Sequence, residues 1–406
     1  MTCATCRSHK FRDVPAGLIP TLHPVVTSAK LPRRVKELQH RNTGVAAAES
    51  LAAVFSGESG RVRLQSLQTP VPQSGELLVR VEGCTLCGSD LHSIEGRRTV
   101  PVPTVLGHEI VGRIEQLGAG EPLFDVAGQP LSPGDRIVWA IVASCGQCFY
   151  CQRGLPQKCR HAVKYGHEAF RPGYELLGGL AEHCLLTRGT AVVRIPPALS
   201  LSAVCPASCA TATIAAALEA AGDLRGQAIC ITGAGLLGLT AAAMARSSGA
   251  SEVIVCEVNQ QRRELAGRFG ATRCCTPAEL SDTIRDATGG MGVDAAVEVS
   301  GAPAAFEALW PGLRLGAAAV LVGSVFPAAP VSLALEQVVR RNLSLRGIHN
   351  YAPVHLQRAI QFLETAGGEY DFGSLVSAWY PLQQISDALI SAADPAAVRI
   401  GVCAAE

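Results

Sequence analysis

Two patterns of apolar and polar positions divide the chain. Between residues 46 and 98, short apolar runs alternate with turn residues, as in the Leu-Leu-Val-Arg-Val segment at positions 77–81. Apolar residues and glycines continue in the same way through residues 105–111 and 136–142. Short apolar runs bounded by turn residues are typical of β-strands. The first part of the chain is therefore predicted to be a mostly β domain.

Beyond Pro206 the pattern changes to strands that alternate with helices. The predicted elements are a helix over residues 211–221, a strand over 228–232, a helix over 239–248, a strand over 253–257, a helix over 260–269 and two strands over 293–299 and 319–323. Such alternation is typical of a parallel sheet. Helices are also predicted over residues 355–365 and 383–393, in a segment too short to form a domain alone. We expect this segment to pack on the first domain.

Composition and charge narrow the classes of function. The 406 residues suggest two domains, and 48% hydrophobic with 17% charged residues is typical of a globular protein with a sizeable core. The 35 basic and 34 acidic residues give a formal net charge of +1, so nucleic acid is not expected as a partner. No apolar run reaches the roughly 18 residues of a membrane span, so no membrane partner is expected either.

The first 45 residues show no sustained helical or strand periodicity of apolar positions, and they carry more basic than acidic side chains. We expect a disordered extension here, and an organellar targeting segment or a start codon placed too far upstream stay open. Because no hydrophobic signal segment begins the chain, its 16 cysteines are expected to be reduced thiols of a cytoplasmic protein. Cys3 and Cys6 form an isolated pair that chance explains best. Eight others are interpreted as buried or partly buried small apolar residues, namely Cys84, Cys184, Cys205, Cys230, Cys256, Cys274, Cys275 and Cys403.

Four cysteines follow a C-x2-C-x2-C-x7-C spacing. Cys145, Cys148, Cys151 and Cys159 are close enough in sequence to surround one tetrahedral zinc without another residue. A zinc with four protein ligands has no open coordination position. We therefore expect this zinc to be structural and to fix a lobe, residues 145–159, that has little core of its own.

Three further residues are candidate ligands of a second metal. They are Cys87 in Gly-Cys-Thr-Leu-Cys-Gly-Ser-Asp-Leu-His, His108 in Gly-His-Glu-Ile-Val-Gly, and Cys209 in Cys-Pro-Ala-Ser-Cys-Ala-Thr. Thiolate and imidazole groups suit zinc, and a catalytic zinc site keeps one position open. Each residue alone would more often be a buried thiol or a core histidine, but together with the four-cysteine run they favour a metal site.

The set and order of these motifs resemble the zinc-dependent alcohol dehydrogenases of the medium-chain dehydrogenase/reductase superfamily. The resemblance covers residues 46–406 and implies an α/β protein of two domains. The implied catalytic domain is GroES-like and mostly β, over residues 46–210 and 350–406. The implied cofactor domain is a Rossmann domain with a doubly wound parallel sheet, over residues 211–349.

The same resemblance assigns the catalytic zinc. It implies that Cys87, His108 and Cys209 hold the metal, with Glu109 as an occasional or alternative ligand. In some polyol-type relatives a glutamate replaces the third ligand, so the assignment of Cys209 stays open. Asp90 is expected to accept a hydrogen bond from His108 and orient it, as imidazole ligands generally require.

A glycine-rich stretch at residues 233–238 follows one predicted strand and opens a helix. A G-x-G-x-x-G motif is weak evidence alone, but in this context it predicts a dinucleotide-binding turn. Glu257 ends the next strand, where the cofactor ribose is expected, and its carboxylate repels a 2′-phosphate. NAD is therefore favoured, while Arg262 and Arg263 nearby leave NADP open. The expected cofactor-binding residues are Gly233, Gly235, Leu236, Leu237, Gly238, Glu257 and Arg262.

The resemblance also implies a proton relay and a reaction. Ser89 would take the alcohol proton and pass it through the cofactor ribose to His92, although a helix N-cap and a surface imidazole are the alternative interpretations. Zinc would act as a Lewis acid on the substrate hydroxyl, and hydride would pass to the nicotinamide. The implied protein binds two zinc ions per chain and a small-molecule alcohol or aldehyde, and it forms a homodimer or homotetramer.

The substrate is less determined than the reaction. The stretches at residues 164–167, 178–182, 207–213 and 347–351 are similar to a subgroup associated with phosphonate catabolism. Basic residues in the loop over residues 160–171 agree with an anionic substrate, and ordinary solvated loop charge explains them equally well. A polyol- or threonine-type zinc dehydrogenase shares every motif. An alternative from another functional class is a non-catalytic NAD-binding protein with the same fold. The intact metal ligands argue against this alternative.

Overall fold

The computed structural model describes residues 48–58 and 60–404, so the predicted extension over residues 1–45 lies outside the described residues. The first part of the chain is mostly β, as predicted. Its elements are β1 (Glu49–Phe55), β2 (Val62–Gln68), β3 (Leu77–Thr85), α1 (Gly88–Ile94), β4 (Thr104–Val105), β5 (Glu109–Leu117), β6 (Arg136–Trp139), β7 (Val142–Ala143), β8 (Val163–Lys164), β9 (His183–Leu186) and β10 (Val192–Arg194).

The second part alternates helices and strands. Its elements are α2 (Leu201–Val204), α3 (Ala210–Ala221), β11 (Ala228–Thr232), α4 (Leu236–Ser247), β12 (Glu252–Cys256), α5 (Gln260–Arg268), β13 (Arg273–Cys275), α6 (Leu280–Thr288), β14 (Val293–Glu298), α7 (Pro303–Leu309), β15 (Leu313–Leu321), α8 (Leu335–Arg340) and β16 (Ser344–Gly347). These strands form one parallel sheet in the order β13-β12-β11-β14-β15-β16. The order reverses between β11 and β14, which is where such sheets bind their ligands.

The last part of the chain returns to the first domain, as predicted. It contains α9 (Pro353–Ala366), β17 (Val376–Pro381), α10 (Ile385–Ala392) and β18 (Arg399–Cys403). β18 pairs antiparallel with β3, and the larger sheet has the order β10-β6-β5-β3-β18-β17 with β9 also on β3. α9 instead packs on α3, so the segment contacts both domains.

Two apolar segments of the first domain, at residues 105–111 and 136–142, are each divided between two strands. The 105–111 segment is interrupted at Gly107, which has φ +90°, and a Cβ there would lie 2.6 Å from the Cys84 Sγ. Only glycine fits this position without strain. The turn ends β4 and lets β5 begin directly after His108. The 136–142 segment is likewise divided into β6 and β7.

Two sequence predictions are corrected by the structure. Cys274 is exposed rather than buried, because it lies on β13 at the edge of the parallel sheet. The helix predicted from residue 239 begins earlier, at Leu236, because Gly235 already serves as its N-cap. The glycine turn therefore places the first residues of α4 at the edge of the parallel sheet where the cofactor is expected to bind.

No single helix among the described residues is long and apolar enough to cross a bilayer. Two consecutive helical segments, Leu201–Ser208 and Ala210–Ala221, are together long and apolar enough by length and composition alone, but they are bent by 56° relative to each other.

Candidate active site and metal centres

Four candidate metal ligands from three segments converge on one point. Cys87 caps the start of α1, His108 and Glu109 follow the Gly107 turn, and Cys209 immediately precedes α3. Their ligand atoms all lie within 4.8 Å of one another. Two sulfurs and an imidazole are donors that zinc prefers, so the residues present fit this metal.

Asp90 fixes the orientation of the His108 ring. Its Oδ1 lies 3.2 Å from His108 Nδ1, and its Oδ2 accepts a hydrogen bond of 3.0 Å from the Cys87 amide. Burial opposes a charge on the ring, but Asp90 and Cys87 raise the pKa of His108 to about 10. With Nδ1 engaged, Nε2 is the nitrogen left for a metal. The structure thus brings Asp90 to the place expected of it.

The two thiols at this point are coupled. A hydrogen bond from Cys209, followed by the charges of Arg399 and His108, holds the pKa of Cys87 well below its usual value. The same contact with Cys87, together with burial, raises the pKa of Cys209. Thiolate is the form that binds metal, so Cys87 is the thiol more readily prepared as a ligand.

Glu109 is held by a cation that no sequence motif identifies. Arg399, the first residue of β18, donates from Nε to Glu109 Oε2 at 2.9 Å and from Nη2 to Oε1 at 3.0 Å. Thr85 Oγ1 donates to the same Oε2 at 2.6 Å. Both carboxylate oxygens therefore accept hydrogen bonds, and the same guanidinium also donates from Nη2 to Cys87 Sγ at 3.6 Å. Arg399 lies in no local motif, and only its pairing with a residue 290 positions earlier reveals its role.

The two residues of the expected relay both lie on α1. Ser89 Oγ is 3.4 Å from His108 Nε2, on the side of the ring that faces the candidate metal. His92 packs its ring against Phe326, with centroids 4.6 Å apart. Phe326 belongs to the loop that follows β15, so His92 lies at the boundary between the two domains. Neither side chain acts as the N-cap of α1, which is Cys87.

The four-cysteine run forms a second cluster. The Sγ atoms of Cys145, Cys148, Cys151 and Cys159 also lie within 4.8 Å of one another. Hydrogen bonds from the Arg160 and Cys151 amides lower the pKa of Cys148 to about 6. The lobe contains only two short 3₁₀ turns, at Cys151–Arg153 and Pro156–Lys158. Four sulfur donors at this spacing fit a structural zinc and supply the cross-link that these turns lack.

The glycine-rich turn lies at the carboxyl edge of the parallel sheet. It joins β11 to α4, Gly233 has φ +100°, and a Cβ on Gly238 would lie 1.9 Å from the Gly233 carbonyl oxygen. Close contact of this kind requires glycine. Gly235, Leu236 and Leu237 form the first turn of the helix, whose amides suit a pyrophosphate.

Glu257 follows β12 and touches this turn. Its Oε2 accepts a hydrogen bond of 2.6 Å from the Ala234 amide, and its Oε1 accepts one of 2.9 Å from the Asn259 amide. Arg262 points elsewhere, since its Nη2 donates to the Pro395 carbonyl at 2.7 Å. Arg263 is the nearer cation and donates to the Glu257 carbonyl at 2.8 Å. The structure therefore brings Glu257, and not the Arg262 guanidinium, to the turn.

Comparison with known proteins agrees with both halves of this structure. Residues 73–197 match the alcohol dehydrogenase GroES-like domain, and residues 237–365 match the zinc-binding dehydrogenase family. L-threonine 3-dehydrogenase of Pectobacterium atrosepticum is 33% identical over 294 residues, which cover 70% of this chain and 75% of that protein.

Two solved structures extend the similarity to the whole fold. An alcohol dehydrogenase from Thermotoga maritima superposes with a TM-score of 0.83 at 28% identity, covering 88% of this chain and 100% of the other. A zinc-binding dehydrogenase structure from Sinorhizobium meliloti 1021, bound to NADP, gives a TM-score of 0.75 at 25% identity, with 88% and 99% coverage. The chain belongs to the zinc-binding alcohol dehydrogenase family and is an oxidoreductase with a GroES-like domain and a Rossmann domain.

Proposed function

We propose that this protein transfers hydride between an alcohol and NAD(P) at a zinc held by Cys87, His108 and Cys209. The observation that carries the proposal is the convergence of these ligand atoms within 4.8 Å, beside a hydroxyl at 3.4 Å from the His108 ring. Three protein ligands leave one position of a tetrahedral metal for a substrate oxygen. Glu109 stays available as an alternative ligand, although Arg399 holds both of its oxygens.

The residues around the metal perform the proton transfer and the positioning. A zinc ion bound here supplies Lewis acidity that lowers the pKa of a substrate hydroxyl. Ser89 Oγ would take up the proton that this hydroxyl loses as it releases its own toward His92, and His92 at the domain boundary would pass a proton on to solvent. Asp90 keeps His108 in the tautomer that presents Nε2 to the metal. Cys145, Cys148, Cys151 and Cys159 bind a second zinc that holds the neighbouring lobe.

The cofactor is proposed to be NAD, with NADP as the alternative. Glu257 places a carboxylate beside the turn where the adenosine ribose would lie, and a 2′-phosphate would be repelled there. The turn residues Gly233, Gly235, Leu236, Leu237 and Gly238 are proposed to hold the pyrophosphate. The Arg262 guanidinium would have to leave the Pro395 carbonyl to reach the cofactor.

The cellular setting and the assembly complete the proposal. We propose a cytoplasmic homodimer or homotetramer joined through the cofactor domain. β16 is the last strand of the parallel sheet, and Leu335, Val339 and Leu345 are exposed on it and on the preceding helix. An apolar edge of this kind favours pairing with a second copy of the chain.

Zinc content and turnover test the proposal together. The native chain is expected to carry two zinc ions and to form NADH with a panel of primary alcohols, polyols, threonine and hydroxyphosphonates. The panel separates a phosphonate-related substrate from a threonine- or polyol-type one. Cys87→Ala is expected to keep one zinc and lose turnover. The mechanism would be overturned by a native chain that holds fewer than two zinc ions or by a Cys87→Ala variant that remains active. The non-catalytic alternative would then be favoured.

A further inference from the structure

Two segments carry the chain between its two large sheets, and a buried hydrogen bond joins them. The first crossing runs from β10 to β11 and contains Ser208 and Cys209, and the second runs from β16 to β17 and contains Tyr351. The Tyr351 hydroxyl donates to the Ser208 backbone carbonyl. Tyr351 and Ser208 are both buried, so water is not at hand to replace this contact.

The accepting oxygen belongs to the peptide bond that joins Ser208 to the candidate ligand Cys209. A peptide unit is planar, so a hydrogen bond to its carbonyl restrains the plane from which the Cys209 side chain departs. Cys209 is also the N-cap of α3, and its own carbonyl accepts from the Thr213 amide at 3.2 Å. The backbone is therefore held on both sides of the Cys209 Cα.

Ser208 extends the hydrogen bonds to a second candidate ligand. Its Oγ donates to the His108 carbonyl at 3.2 Å, in a buried contact. That carbonyl belongs to the peptide bond between His108 and Glu109. A continuous path from Tyr351 through Ser208 to His108 thus links the backbone of two candidate zinc ligands with the second crossing.

The turn that carries Ser208 is supported by two parts of the fold. This 3₁₀ turn, Cys205–Ser208, contacts β3, β5 and β6, and it also contacts α9, which begins two residues after Tyr351. At its start, Cys205 Sγ donates to the Gly83 carbonyl at 3.3 Å. The catalytic sheet therefore fixes the start of the turn, whereas the second crossing fixes its last peptide unit.

The third ligand of the proposed zinc depends on this support. Glu109, the alternative ligand, has both carboxylate oxygens engaged by Arg399. Cys209 is thus left to complete the site with Cys87 and His108. A side chain that is already ordered loses less conformational entropy when it binds, so restraint of the Cys209 backbone favours metal binding.

We propose that Tyr351 is a positioning residue of the catalytic metal site, which holds the Ser208–Cys209 peptide so that the Cys209 thiol is placed to bind zinc. The inference rests on the proposed function and adds to it a residue from the second crossing. Tyr351 acts through the backbone of Ser208 and does not itself bind the metal. A contact with a structural role alone would stabilise the fold without changing metal affinity.

Cobalt affinity tests the proposal. Dipicolinate is expected to remove zinc from the site with an open coordination position before the closed four-cysteine site. Cobalt is then titrated into the full-length chain, and the thiolate-to-cobalt absorption is followed. Tyr351→Phe removes the hydroxyl and keeps the ring. It is expected to weaken cobalt binding about twofold to tenfold, the effect of one lost buried hydrogen bond.

Tyr165→Phe is the matched control. Tyr165 is also buried, and its hydroxyl lies 2.6 Å from Thr190 Oγ1 and accepts from the Thr187 amide at 2.9 Å. Neither partner belongs to a segment that carries a candidate metal ligand. Tyr165→Phe is therefore expected to lower stability toward urea, as Tyr351→Phe does, but to leave cobalt affinity unchanged.

A double variant separates positioning from a structural role. In a Cys209→Ala background the thiol that Tyr351 positions is absent, so the addition of Tyr351→Phe is expected to change cobalt affinity no further. The proposal is overturned if Tyr351→Phe alone leaves cobalt affinity at the native value. It is also overturned if Tyr351→Phe weakens cobalt binding equally with and without Cys209.

Cobalt binding is measured without turnover, so this inference and the proposed function can fail separately. If cobalt affinity depends on Tyr351 through Cys209 while no alcohol is oxidised, the proposed function fails and the positioning role stands. If alcohols are oxidised while Tyr351→Phe binds cobalt as the native chain does, the positioning role fails and the proposed function stands.

Discussion

Replacing Arg399 by methionine is expected to destabilise the zinc-loaded protein by about 3–5 kcal/mol, the usual cost of breaking a buried ion pair. The Glu109 side chain is 0% exposed and that of Arg399 is 12% exposed. Methionine fills a similar volume, so the principal change is the loss of three hydrogen bonds to the carboxylate and of one to Cys87 Sγ. Only the hydrogen bond from Thr85 remains to satisfy the buried charge.

An exposed ion pair provides the matched control. Arg225 Nη2 lies 2.6 Å from Asp223 Oδ2, but the side chains of Arg225 and Asp223 are 79% and 58% exposed. Water solvates both charges when the contact is lost, so Arg225→Met is expected to cost far less than Arg399→Met. The difference between the two arginine variants therefore reports burial rather than the removal of an arginine as such.

Urea unfolding, followed by tryptophan fluorescence in excess zinc, measures the effect as a shift of the midpoint. A double variant, Arg399→Met with Glu109→Gln, is expected to recover part of the lost stability because no unpaired charge stays buried. The reasoning is refuted if Arg399→Met costs no more than Arg225→Met, or if the double variant is less stable than Arg399→Met alone.

Other substitutions test the remaining sites. Cys148→Ser is expected to remove one zinc ion per chain and to open the four-cysteine lobe to limited proteolysis, and metal analysis with digestion would show whether the lobe survives without it. Gly238→Ala should weaken NAD binding by about tenfold or more, because its Cβ has no room beside the preceding turn; fluorescence titration measures this, and unchanged affinity would contradict it. Glu257→Ser is expected to raise the kcat/KM ratio of NADP over NAD by about tenfold, since one unfavourable carboxylate is removed.

Local patterns were sufficient to predict the parallel sheet. The strand over residues 228–232 was predicted with the bounds that the structure shows, because a buried apolar run is followed by a glycine turn. The short β13 and the edge strand β16 were not predicted. β16 is exposed along its whole length, so it lacks the apolar run that identifies a central strand.

The candidate ligands were also accessible from the sequence, since cysteine and histidine stand at recognisable spacings. The contacts that position these ligands could not be predicted from the sequence. Arg399 reaches Glu109 through the pairing of β18 with β3, and Thr85 of β3 donates to the same carboxylate.

The position of Arg399 has a consequence for biosynthesis. Ribosomes add about 5–20 residues per second, so the 290 residues that separate Glu109 from Arg399 take roughly 15–60 seconds to synthesise. During that interval β3 has no β18 beside it, and the Glu109 carboxylate has no guanidinium. The metal pocket therefore reaches its final form only after residue 399 has been made. Nascent chains halted before β18 would expose an unfinished sheet edge, which gives chaperones a surface to bind.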